Sequence, residues 1–392
     1  MHVCLLTLGL AWGEDPTGAR PGAGAPVLEW SPVLELRAGV ERLPLNDHIL
    51  FPIAARLGID AERKALAARV SIQAAAVADD FENGQAGLAL SEAWVRWSPP
   101  ISSAMGVDVT LGQQRFEFDD GSVVGDDDER LMANFPLAAR ATLRALPWQL
   151  DVASGFSPGT AGQTPLAMAG GKTLADPDEK PSSGIPFHLA RLGGGRANAD
   201  TSWSAAGIGL LMTGERASED GAVLGTVGVS VDVSQKRFRV GGDAWLQPSA
   251  AGPATMGGGR VGWAFGDDAR AVLWASVDHL GGGSSPVFLR PMADTASRFG
   301  WLGALDQAHF GEGALDGALR LQAKLAPPLR FEGALHHFWD GSGSPRSVEF
   351  DGDVRWYFSP LASLHLRGAI EVPWVESDGI QLRSAVVIDA AL

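Results

Sequence analysis

The stretch VEFDGDVRWYF, residues 348–358, alternates from end to end. Val348, Phe350, Val354, Trp356 and Phe358 share one parity; Glu349, Asp351, Asp353, Arg355 and Tyr357 take the other. A strand sends successive side chains to opposite faces, so a period of two places these sets back to back. Beyond Ser359-Pro360 the pattern resumes, with Leu364, Leu366, Ile370 and Val372 opposing His365, Arg367 and Glu371. Large apolar groups on one face and charges on the other suit a wall between lipid and water.

The same pattern runs upstream. Leu315, Leu319, Leu321 and Leu325 oppose Asp316, Arg320, Gln322 and Lys324. Leu329, Phe331, Leu335 and Trp339 oppose Arg330, Glu332 and His336, and Val227, Val229, Val231 and Val233 oppose Ser230 and Asp232. Strand-like segments begin near 27–38, 65–77, 87–97, 105–116, 137–146 and 148–156, and continue near 203–213, 222–233, 236–247, 258–266 and 270–280. The last series covers about 313–325, 328–339, 346–358, 361–373 and 380–391. With weaker strands near 48–58 and 185–192, the expectation is an all-β, transmembrane antiparallel β-barrel of 18 strands, with 16 as the alternative. A soluble sandwich or β-helix would need stacked sheets to bury so many apolar faces.

Tight turns at Leu146-Pro147, Gly266-Asp267-Asp268, Pro327-Pro328 and Ser359-Pro360 alternate with long loops near 119–136, 157–186 and 280–298. Proline lacks a ladder donor and glycine accepts unusual backbone angles, so both end pairing. Short turns on one rim and long loops on the other are what a barrel requires. Residues 27–392 are read as one barrel, 14–26 as a flexible segment, and 1–13 (MHVCLLTLGLAWG) as the remnant of an export signal.

Composition narrows the function. The chain has 392 residues, 50 Gly and 24 Pro, with 20 % charged residues and no apolar run long enough for a membrane helix. A formal charge of −15 argues against a nucleic-acid partner, which needs basic surface. Cys4 is the only cysteine, so neither an internal disulfide nor a cysteine metal cluster is available. Trp30, Trp94, Trp97, Trp148, Trp245, Trp263, Trp339, Trp356 and Trp374 fall near segment ends, as expected of an aromatic girdle at the lipid headgroups. With Tyr357 the single tyrosine, tryptophan and phenylalanine must supply that girdle.

Several short pieces carry a family resemblance. Ser91-Glu92-Ala93-Trp94-Val95, Leu111-Gly112-Gln113-Gln114-Arg115-Phe116 and Asp119-Asp120-Gly121-Ser122-Val123-Val124-Gly125 resemble motifs of the alginate-export outer-membrane barrels. Arg298-Phe299-Gly300-Trp301, Gly313–Leu321 and Leu335-His336-His337-Phe338 resemble that family's last third. The resemblance implies an 18-stranded monomeric pore with a positively charged constriction. Gln113 stands where the family usually has Arg, and Asp126-Asp127-Asp128-Glu129 adds acid that would repel an anionic polysaccharide.

The polar faces give the candidate pore lining. It comprises Arg37, Glu35, Glu92, Arg96, Arg115, Arg144, Asp232, Arg237, Arg239, Asp243, Arg320, Lys324, Arg330, Arg355, Arg367 and Arg383. Fixed charge in a narrow wet passage biases which solutes enter, and arginine offers a rigid fork to carboxylates and phosphates. The plainer role is cross-strand pairing that braces the wall. Adjacent His336 and His337 should point apart, one to the lumen and one to the lipid side. The acids of 119–129 lack the ligand order of an EF-hand, and Gly170-Gly171-Lys172-Thr173 lacks the upstream glycine of a phosphate loop.

No cofactor is expected. No H-E-x-x-H occurs and no nucleophile elbow is expected, so a barrel hydrolase would need Ser and His converging from separate strands. The expected function is porin-like passive diffusion of small or anionic solutes, set in outer-membrane lipid and with possible periplasmic or envelope protein partners. The alternatives are export of an anionic polysaccharide, a non-conducting scaffold barrel and, behind these, the hydrolase.

Overall fold

The computed structural model describes residues 29–42, 49–79, 85–102, 104–116, 118, 135–157, 185–198, 200–213, 223–248, 252–266, 270–281, 313–359, 361–374 and 380–391. The expected signal at 1–13, the segment 14–26 and almost all of the three long loops lie outside them, as do Asp119–Gly125, Asp126–Glu129 and Arg298–Trp301 of the motifs above.

The strands are β1 (Glu29–Arg42), β2 (Ile49–Arg63), β3 (Leu66–Asp79), β4 (Gln85–Trp97), β5 (Met105–Gln113) and β6 (Leu137–Ala145). They continue as β7 (Trp148–Ser157), β8 (Ile185–Ala197), β9 (Thr201–Met212), β10 (Leu224–Gln235), β11 (Phe238–Gln247) and β12 (Ala254–Phe265). The last six are β13 (Ala271–Leu280), β14 (Ala314–Ala326), β15 (Leu329–Asp340), β16 (Pro345–Ser359), β17 (Ala362–Pro373) and β18 (Gln381–Ala391). Each pairs antiparallel with its sequence neighbours, and β18 pairs with β1 from Glu35↔Ala391 to Arg42↔Ser384. The 18 strands therefore form one closed ring, and 16 is excluded. The two weak segments are full strands, β2 and β8.

Parity sorts the side chains as the sequence implies. Ile53, Leu57, Ile59, Val70, Val95, Val229, Leu319, Leu335, Phe350, Leu366 and Val386 are exposed on the outside. Among the described outward positions there is no Asp, Glu or Lys. Arginine occupies such positions only next to strand ends, at Arg42, Arg63, Arg196 and Arg346. That sorting is required in hydrocarbon, where an uncompensated charge has no solvent. Trp30, Trp97, Trp148, Trp263 and Trp356 lie outward near the short-turn rim, while Trp339 and Trp374 lie near the other. Trp94 and Trp245 do not belong to the girdle. Their parity turns them inward, where Trp245 is buried.

Two features depart from simple alternation. A register shift opposite Ser71/Ile72 inserts an extra residue in β4. Leu88 and Leu90 on one side of it, and Val95 and Trp97 on the other, consequently all face lipid despite opposite parities. The second is an apolar inner wall toward the long-loop rim. Phe187, Leu189, Ile208, Leu210, Met212, Leu224, Trp245, Met256 and Phe338 cluster there, buried, together with Phe116 and Phe118.

Val229 is outward and exposed, and Ser230 beside it is inward. Val229→Arg should lower the unfolding free energy in lipid vesicles by about 2–4 kcal/mol. Ser230→Arg should cost far less; equal costs in a urea titration would contradict the assignment of faces.

Candidate functional site: the barrel lumen

The inner wall from β2 to β8 is rich in arginine, and carboxylates hold those arginines in place. Arg56 donates to Glu35 at 2.7 Å. Arg69 donates through two nitrogens to Asp60, at 2.6 and 2.7 Å, and through a third to Glu92 at 3.3 Å. Arg115 lies 3.5 Å from Glu92 and 3.8 Å from Glu35, so the two acids link β1, β2, β3, β4 and the segment after β5. Arg140, Thr142 and Gln149 all donate to the fully buried Asp151, with Arg191 at 3.9 Å. Arg144 pairs with Asp108. A buried carboxylate loses its water, and only several donors at once offset that loss.

The opposite wall, β10 to β17, carries more acid. Arg260 donates to both oxygens of Asp232, at 2.8 and 3.1 Å. His336 is held between Asp316, 2.7 Å from Nδ1, and Asp351, 3.6 Å from Nε2, and stacks on Phe338. Asp353 faces Arg367 at 3.3 Å and Arg355 at 3.7 Å. His337 turns outward against Trp339 and Trp374, so the adjacent histidines diverge as their parity requires.

The segment after β5 is steered inward by its own residues. Gly112 has φ +123°, and a Cβ there would stand 2.0 Å from the carbonyl oxygen of Ala93. The buried Gln114 donates its side-chain amide to the carbonyl of Ala138 at 3.0 Å. Phe116 then packs on Phe118 and Phe187, with ring centroids 6.2 and 5.8 Å away. Guanidinium groups cap these rings: Arg140 over Phe116 and Phe118, Arg191 over Phe118, and Arg56 and Arg115 over Phe135, all at 5.0 to 5.5 Å. Each such contact is worth about 0.5–2 kcal/mol and holds the arginine head in a fixed direction.

Of the residues expected to line the pore, Arg37, Glu92, Arg96, Arg115, Arg144, Asp232, Arg239, Arg320, Lys324, Arg330, Arg355 and Arg367 are on the inner side. Arg237 has the parity of Arg239 but precedes β11. It sits exposed in the turn Lys236–Arg237 that joins β10 to β11. Arg383 lies opposite Ala369 in the ladder, and its side chain is outside the described residues. Arg56, Arg69, Arg140, Arg191 and Arg260 are lining residues that the sequence reading missed. Arg140 shares parity with Arg144 and was there to be found, whereas Arg56 and Arg191 lie on strands with weak alternation.

The hydrolase alternative can be checked on geometry. The order G-x-S-x-G does occur once, at Gly155–Gly159, contrary to expectation, but Ser157 ends an inner-wall strand and no helix exists among the described residues. On the inner wall His365 Nε2 lies 2.9 Å from Ser363 Oγ. Arg355 donates to Nδ1 of the same ring at 3.1 Å, which leaves the ring proton on Nε2, directed at the serine. In that tautomer the imidazole cannot accept the serine proton. Among the described residues no cluster of three or more His, Cys, Asp or Glu is placed to hold a metal.

Solved structures share this architecture. The barrel is similar to OccK5 (OpdH) of Pseudomonas aeruginosa, with TM-score 0.63 and 11 % identity over 93 % of this chain and 98 % of that one. It is similar to P. aeruginosa OpdK solved with vanillate (TM-score 0.62, 12 % identity, 93 % and 98 % covered) and to P. aeruginosa OprD (0.58, 13 %, 93 % and 95 %). No protein-family model and no curated protein sequence matches the chain. The alginate-export resemblance is thereby overturned: the matching barrels are of the OccK and OprD kind. Those of its short motifs that fall among the described residues are wall segments and an inward-turning strand end. At such low identity the likeness carries the fold.

Phe116 is 1 % exposed. Phe116→Ala should therefore lower barrel stability by about 3–5 kcal/mol, read from denaturant midpoints; a change below about 1 kcal/mol would contradict its packing role.

Proposed function

We propose that this chain is an outer-membrane channel for passive diffusion of small hydrophilic solutes. The observation that carries this reading is a closed, lipid-faced ring whose inner wall bears charged side chains of both signs. Arg56, Arg69, Arg115, Arg140 and Arg144 stand with Glu35, Asp60, Glu92, Asp108 and Asp151 on one side; Asp232, Asp316, Asp351 and Asp353 stand with Arg260, Arg320, Arg355 and Arg367 on the other. Fixed charges around an aqueous space set up local fields that low-dielectric walls concentrate. A small solute with a carboxylate can pass between such paired groups, its charge met by guanidinium donors. Such a solute is in keeping with the vanillate of the OpdK structure. The acid-bearing wall disfavours a long polyanion, which would contact both sides at once.

Passage requires no chemical step, since fixed dipoles and charges select by differential binding along the path. In a planar bilayer the purified protein should give stepwise ionic conductance; persistent silence would favour a scaffold. Arg320→Glu and Arg355→Glu, each on the inner wall, should move the reversal potential in a salt gradient toward cation preference. An unchanged potential in both would remove these two side chains from the permeation path.

A further inference from the structure

We propose that the short-turn half of the lumen contains a binding site for a neutral polyhydroxylated solute, a mono- or disaccharide, laid against the indole of Trp274. This rests on the channel reading for access, but the site stands on its own geometry. A cavity of about 710 Å³ opens between the inner faces of β6 to β15, with Trp274, Arg260, Asp232, Arg320, Gln322 and Asp278 among its lining residues. That volume is in the range of small-molecule sites.

Trp274 is the one aromatic side chain of the inner wall that lines this cavity among the described residues. It is half-buried and stands opposite Gly262 in the ladder. A Cβ at 262 would come within 2.5 Å of the indole, so the glycine lets the ring lie down on the wall. Gly258 does the same for Asp278, whose carboxylate occupies the space of the missing Cβ. The guanidinium of Arg239 lies 5.9 Å from the ring centroid of Trp274. The result is a flat aromatic platform held from two sides, with polar groups beside it.

The charges around the platform are already engaged. Arg260 grips both oxygens of Asp232, and Arg320 and Asp278 have partners of their own. An anion entering here would have to displace Asp232 from Arg260, whereas a neutral solute leaves the pair intact. Paired side chains still present fixed donors and unfilled acceptor lone pairs next to one another. A vicinal diol donates and accepts at once, and so meets both. The apolar face of a pyranose ring covers an indole, which offers an extended apolar surface.

The test uses the full chain in a planar bilayer, with maltose as probe and benzoate as control at matched ionic strength. Maltose should interrupt the current reversibly and with a concentration dependence, and benzoate should not do so at this site. Trp274→Ala should weaken maltose association at least about tenfold while open-channel conductance persists. Gly262→Val, which tips the ring off the wall, should do the same. Calorimetry of the detergent-solubilised barrel with maltose gives a reading independent of conduction. Maltose binding in a silent barrel, lost in Trp274→Ala, would remove the channel reading and keep the site. Conductance with neither block nor heat from maltose, maltose binding unaffected by both variants, or block by benzoate alone would overturn the site.

Discussion

Hydrocarbon offers no partner to a backbone amide. Every N–H and C=O that crosses the bilayer must therefore bond within the protein, at a cost of several kcal/mol for each failure. An open sheet leaves two edges unpaired, and here β18 meets β1 along eight residue pairs so that no edge remains. Closure then dictates the rest. Each strand has one face toward lipid and one toward the interior, and the outward set must be apolar. Arginine is tolerated outside only at strand ends such as Arg63 and Arg196, within reach of the interface, while Arg346 is held by Asp340.

The interior meets a different demand. A ring of 18 strands encloses more space than side chains alone need to fill, so its lining is wet and charged rather than packed. Cross-strand pairs such as Arg56–Glu35 and Arg69–Asp60 tie neighbouring strands while keeping long side chains against the wall. Toward the long-loop rim the requirement reverses. Phe187, Met212 and Met256 are buried on the inner face, and the chain after β5 folds back over part of that face through Phe116 and Phe118. Half the lumen is thus organised by apolar packing and half by ion pairs, which gives one barrel two chemically different levels.

How far this was legible in the sequence depends on the element. From β14 to β17 alternation is almost unbroken, and face, strand and turn could all be read. At β4 the extra residue near Ser91 inverts parity, which a period of two cannot announce in advance. Arg69 lies in an alanine-rich strand whose small side chains mark its two faces poorly, although it binds both Asp60 and Glu92. Trp94 and Trp245 sit near strand ends and so suggested the girdle, but position along a strand does not fix its face. Short pieces such as Ser91–Val95 and Leu335–Phe338 are ordinary wall segments, too brief to carry a family.

By itself the sequence determined that the chain forms a membrane barrel, because a two-residue period with one uniformly apolar face has no other economical solution in lipid. It also determined which strands place their charges inward, since parity is a local property of the backbone. Only the tertiary structure decided which arginine meets which carboxylate, that the strand end at Gly112–Phe116 turns into the lumen, and that Trp274 rests on Gly262. These depend on the register between strands and on residues far apart in the chain, Arg115 beside Glu35 for one. Alternation along a single strand carries no record of its neighbour's register.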